Sequence, residues 1–111
     1  MNVFVDECVT YDLMPHLAGH GFTHIADTPW RGKKNGELLR LVAADYDVFL
    51  TTDRHLPQQQ NLKRFALAFI ILRGRSNKIE DLLPLMPQLR AMLDQLPVAG
   101  LKPGDLYELA P

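Results

Sequence analysis

The chain has 111 residues, 47% of them apolar and 23% charged, with a net charge of −1, which is ordinary for one soluble globular domain with a real core. Its single cysteine, Cys8, excludes an internal disulfide and a four-cysteine zinc site, and fits a reducing, cytoplasmic compartment. The N-terminus enters an apolar run without a cationic lead, so no signal peptide is expected, and no run approaches the ~18 apolar residues of a membrane span.

Asn2-Val3-Phe4-Val5 reads as a short buried strand that stops at Asp6-Glu7. Leu13, Leu17 and His20 recur at helical spacing, which predicts a helix over 11–20 with Pro15 in its first turn and Gly21 as its stop. Phe22–Ile25 is a second strand, followed by a polar loop, DTPWRGKKNG. Leu38, Leu41, Val42 and Asp45 step by three and four, which predicts a helix from Glu37 to Asp45 with Asn35 as its N-cap. Val48–Leu50 is the third strand and runs through two threonines to Asp53. Gln58–Arg64 is a short helix or turn. ALAFIIL, residues 66–72, is a continuous apolar run that suits a central parallel strand. Asn77 and Glu80 resemble a capping box, Pro84 and Pro87 break or restart the helix that follows, and Leu85, Leu89, Met92 and Leu96 form its apolar stripe. GLKPGD is a turn, and Leu106–Leu109 a last strand. Strands alternating with helices imply an α/β fold: a central parallel sheet of four to five strands with helices on both faces, in a single domain over 1–111.

Charge is segregated along the chain. Residues 1–30 hold four acids and no Lys or Arg, residues 31–78 hold ten bases against four acids, and residues 79–111 hold five acids and two bases. A basic middle suits a phosphate-rich partner, although scattered over a solvated surface it means nothing.

In a parallel sheet the C-terminal strand ends share one edge, where α/β proteins place their sites. Asp6 and Glu7 follow the first strand and Asp53 the third. Glu37 opens a helix whose N-terminus faces the same edge, so three or four carboxylates can meet there. A divalent cation relieves the repulsion between clustered acids, and carboxylates with water are the usual shell of Mg²⁺ or Mn²⁺. Each acid also has a plain reading: Glu37 complements a helix dipole, Asp53 caps a turn, and Asp6-Glu7 is a strand exit. The four histidines lack zinc-like spacing. Cys8 reads as a buried small residue without an activating pair, and Trp30 as a loop anchor.

Two family resemblances attach to these residues. Asp6-Glu7, Asp53, Pro57 and Lys102-Pro103 resemble the acidic pair, phosphoacceptor, proline and late Lys-Pro of a two-component receiver domain, with Arg73 where a receiver has Thr or Ser. Over almost the whole chain, however, the order VDE, WRGKKNGELL, DVFLTTDRHLPQQQNL, IILRGRSN and a leucine- and proline-containing helix is similar to the small PIN-like nuclease-toxin family, short relatives of the VapC-type toxins. That resemblance implies a PIN-like three-layer sandwich and a Mg²⁺- or Mn²⁺-dependent ribonuclease. Its catalytic and metal-ligating residues would be Asp6, Glu37 and Asp53, supported by Glu7, Thr51 and Asn77. Larger PIN domains add an acid after the fourth strand; here that segment reads Arg73-Gly-Arg-Ser-Asn77. Lys33, Lys34, Arg54, Arg73 and Arg75 would contact RNA. A small antitoxin protein is the implied partner, and the apolar helices after Asn77 offer a surface for it or for a homodimer.

Overall fold

A computed structural model describes residues 1–100 and 102–111. Five strands form one parallel sheet: β1 (Asn2–Val5), β2 (Gly21–His24), β3 (Val48–Thr51), β4 (Ala68–Leu72) and β5 (Leu106–Leu109), in the order β2-β1-β3-β4-β5. The helices are α1 (Asn35–Asp45), α2 (Leu56–Gln59), α3 (Ile79–Leu82) and α4 (Met86–Ala99), the last two joined by a 3-10 turn, Leu83–Leu85. No helix among the described residues is long and apolar enough to cross a membrane.

Alternation along the central strands builds two cores. Val3, Val5, Val48, Leu50, Ala68, Ile70 and Leu72 face one side and pack with Leu13, Leu82, Leu85, Leu89, Leu93 and Leu96. Phe4, Phe49 and Phe69 face the other and pack with Leu38, Leu39 and Val42 of α1, Leu56 of α2, and Leu62 and Phe65. The register pairs Phe4 with Phe49 and Phe49 with Phe69, so the three rings make one row with centroids 5.8 and 5.9 Å apart.

These cores also locate the crossovers. The β3–β4 and β4–β5 connections step the same way along the sheet, yet the first packs on the phenylalanine face and the second on the valine face. The two crossovers therefore have opposite hands. The β4–β5 connection departs from the uniform hand of an ordinary doubly wound sheet.

The first predicted helix is not a full helix. Tyr11–His16 is a 3-10 segment that ends when Leu17 turns extended; Pro15 lies inside it without an N–H, and Leu13 is its sole buried residue. The predicted cap Asn35 is the first residue of α1 instead, because the Leu38 amide bonds to the Lys34 carbonyl and makes Lys34 the cap position. Asn77 likewise gives way to Lys78, whose amide is held by Ser76 Oγ. The prolines act as expected: Pro84 lies in the 3-10 turn and Pro87 in the first turn of α4. Gly100 closes α4 with φ +83°, and the predicted turn over 100–105 includes Leu101, which lies outside the described residues.

Candidate active site

Strand order reverses between β1 and β3: β2 lies to one side of β1, and β3, β4 and β5 lie to the other. The crevice beyond the C-terminal ends of β1 and β3 is the place where parallel sheets bind ligands. Asp6 and Asp53 follow those two strands.

Register brings the acids together through a threonine. Val5 pairs with Leu50, and the Asp6 amide continues the ladder onto the Leu50 carbonyl. Thr51, wholly buried, is therefore level with Asp6 and donates its hydroxyl to Asp6 Oδ2 at 2.9 Å. The same Oγ1 accepts the Asp53 amide at 3.1 Å. Asp6 Oδ1 takes the Glu7 amide, and Asp53 Oδ1 takes the His55 amide at 2.9 Å, which closes a turn around Asp53. One hydroxyl thus fixes the Asp6 carboxylate and the backbone that carries Asp53.

Cys8 belongs to this cluster, and the expectation that it is buried is corrected: the residue is exposed. Its sulfur lies 3.0 Å from Thr51 Oγ1 and 3.4 Å from Asp6 Oδ2, and it accepts the Thr52 amide at 3.3 Å. Desolvation of the sulfur, and then the negative charge of Asp6, hold the thiol above its ordinary pKa. A cleft of about 480 Å³ opens beside these groups, lined by Cys8, Thr52, Asp53, Arg54, His55, Ser76 and Asn77.

The other acids remain apart. Glu37 is in the first turn of α1, half exposed, and pairs with Lys33 at 3.1 Å. Glu7 lies 3.9 Å from Arg31 and is well exposed. Among the described residues no three His, Cys, Asp or Glu side chains lie where they could hold a metal ion together. Asp6 has both oxygens engaged, by the Glu7 amide and the Thr51 hydroxyl, whereas among the described residues Asp53 has a partner on Oδ1 alone, and like charges gain nothing by approaching unaided. The donor set fits a hydrated Mg²⁺ or Mn²⁺, which keeps several waters and needs only one or two carboxylates; Asp6 and Asp53 supply two hard oxygen donors on adjacent strands.

The predicted cations divide. Arg54 donates to the Gly74 carbonyl at 3.1 Å and ties the β3 exit to the β4 exit. Arg73 pairs with Glu108 of β5 at 3.1 Å. Lys33 is engaged by Glu37. Lys34 and Arg75 are exposed. Gly74, at the start of the segment after β4, has no room for a side chain, since a Cβ there would stand 2.7 Å from the Asp81 carbonyl.

No protein-family model, curated protein or solved structure matches this chain.

Proposed function

We propose that the chain is a metal-dependent endoribonuclease of PIN-like fold, the toxin of a cytoplasmic toxin–antitoxin pair. The observation that carries this reading is the coupling of Asp6 and Asp53 through the Thr51 hydroxyl at the switch point of the sheet. The resemblance of VDE, WRGKKNGELL and TTDRHLP to small PIN-like nucleases supports it. A cognate antitoxin and a homodimer enter as partners on that resemblance alone.

Asp6 and Asp53 would hold Mg²⁺ or Mn²⁺, with Glu37 joining them on leaving Lys33. When bound, the metal would polarise the scissile phosphodiester and acidify a water. The chain's own residues position the reaction. Thr51 fixes Asp6 Oδ2 and the Asp53 amide. Arg54, braced on Gly74, presents charge at the cleft beside Asp53. Lys34 and Arg75 grip backbone phosphates without regard to sequence.

Two other readings are distinguishable. A receiver-like phosphoacceptor loses support from Lys102, which precedes β5 instead of following it, and from the β4–β5 connection on the valine face. A non-catalytic binding module draws support from the unclosed carboxylates.

Cleavage of end-labelled RNA in Mn²⁺ tests the proposal. Asp53→Asn is expected to abolish cleavage and cellular toxicity with the circular dichroism spectrum unchanged. Cleavage by that variant would sink the site assignment. RNA binding without cleavage by the wild type would leave the binding module in its place.

A further inference from the structure

A polar recess of about 470 Å³ lies between the first turns of α1 and the segment that follows α2. Gly36, Arg40, Gln60, Asn61, Arg64 and the buried Phe65 line it. Gly36 and Arg40 are one helical turn apart on the same face of α1. A Cβ on Gly36 would meet only Gln60 Oε1, at 3.6 Å, so the Gln60 amide lies over the helix end of the recess. Arg40, Asn61 and Arg64 are exposed and Gln60 is half buried. Among the described residues, none of these four side chains has an ion-pair or hydrogen-bond partner. The volume lies within the range of small-ligand pockets.

We infer that this recess is a nucleotide-binding subsite for single-stranded RNA, in which Arg40 and Arg64 take a phosphate and the Gln60 and Asn61 amides read a base edge. The choice of RNA rests on the ribonuclease reading. The chemistry argues separately for a nucleotide. Two guanidinium groups are planar forks matched to phosphate oxygens. Amides carry both donor and acceptor, which a base edge requires, whereas the carboxylate side chains of an acidic peptide only accept. Paired donor and acceptor on one amide match the N6 and N7 of adenine, so adenine is the favoured base. Position agrees as well: Glu37 adjoins Gly36 in the chain, so the recess begins where the proposed acidic edge ends.

Fluorescence anisotropy with labelled 12-mer oligoadenylate and oligouridylate, in EDTA to prevent cleavage, tests the subsite. The full-length wild type is expected to bind oligoadenylate more tightly. The Arg40→Gln/Arg64→Gln double variant should weaken both oligomers, on the order of tenfold per lost guanidinium contact. Gln60→Ala/Asn61→Ala should equalise the two oligomers without abolishing binding, an effect that a merely structural role would not produce. Both double variants are judged on protein whose melting temperature matches the wild type. Unchanged affinity in the arginine variant overturns the subsite. So does a preference that survives the amide variant, a wild type indifferent to base, or a labelled oligoglutamate peptide that binds as tightly as RNA. Because no metal is present, a failure of catalysis leaves this result standing, and cleavage that continues in a variant with failed binding leaves the catalytic proposal standing.

Discussion

Thr51 is the hinge between the two acids of the candidate site, because one oxygen donates to Asp6 and accepts from the Asp53 amide. Thr51→Val keeps the shape and removes both bonds inside a wholly buried position. Loss of about 1–3 kcal/mol is expected in urea unfolding, since a buried polar group is left unmatched, along with loss of the proposed cleavage. A change below a few tenths of a kcal/mol would mean that the network is incidental. Cys8 gives a second readout. Its thiol is held above the ordinary range by desolvation and by Asp6, so the alkylation rate should rise with pH later than that of a free cysteine. Asp6→Asn should move that profile down; a profile indifferent to Asp6 would contradict the contact. The sign for stability follows: the neutral thiol is favoured by the fold, so its contribution is complete below the unfolded pKa and is lost as pH rises through the folded one. The T-x-D spacing was legible because Thr and Asp are two residues apart on one strand exit. Cys8 was not, since its approach to Thr51 spans 43 positions and depends on the β1–β3 register.

Among the elements, the row Phe4–Phe49–Phe69 holds β1, β3 and β4 in register beneath α1. Phe49 is central to the row and fully buried, so Phe49→Ala is expected to cost about 3–5 kcal/mol through lost burial and a cavity that flanking rings cannot fill. Chemical denaturation measures it, and a cost near 1 kcal/mol would mean that the face collapses freely. Such strands were readable because continuous apolar runs bounded by polar turns leave few other options; ALAFIIL is buried from Leu67 onward. Helix α1 was readable from its periodicity. The 3-10 segment at Tyr11–His16 was misread because Leu13 and Leu17 repeat at helical spacing, whereas Pro15 lies inside the segment without an N–H and the chain turns extended at Leu17. The face taken by the β4–β5 connection was not legible at all. Periodicity says that α4 is amphipathic, and nothing local says which side of the sheet receives its stripe.

At the scale of the molecule, the topology converts a segregated chain into an edge that carries both signs. Acids from β1 and β3 lie at the switch point, with cations from the loop before α1 and from the β3 and β4 exits around them. On the proposed metal-dependent reading, a divalent cation would bind these acids in the folded state alone. Mn²⁺ should therefore raise the melting temperature of the wild type, by the increment that binding to the folded state alone requires, about 2.7 kcal/mol at a hundredfold excess over Kd. Asp6→Asn and Asp53→Asn should each remove that increment. Glu37→Gln should remove only part, because its carboxylate is already neutralised by Lys33 in the free protein. In EDTA the Asp6 and Asp53 variants should melt no lower than the wild type apart from the lost Thr51 and His55 contacts, since each deletes one of two neighbouring negative charges. Differential scanning fluorimetry with and without millimolar Mn²⁺ reads all four proteins. A wild type whose melting temperature ignores Mn²⁺ would remove the metal from the proposal. Full retention of the increment by Asp53→Asn would move the metal elsewhere on the edge. Equal losses in all three variants would mean that Glu37 closes onto the other two acids as the cation binds.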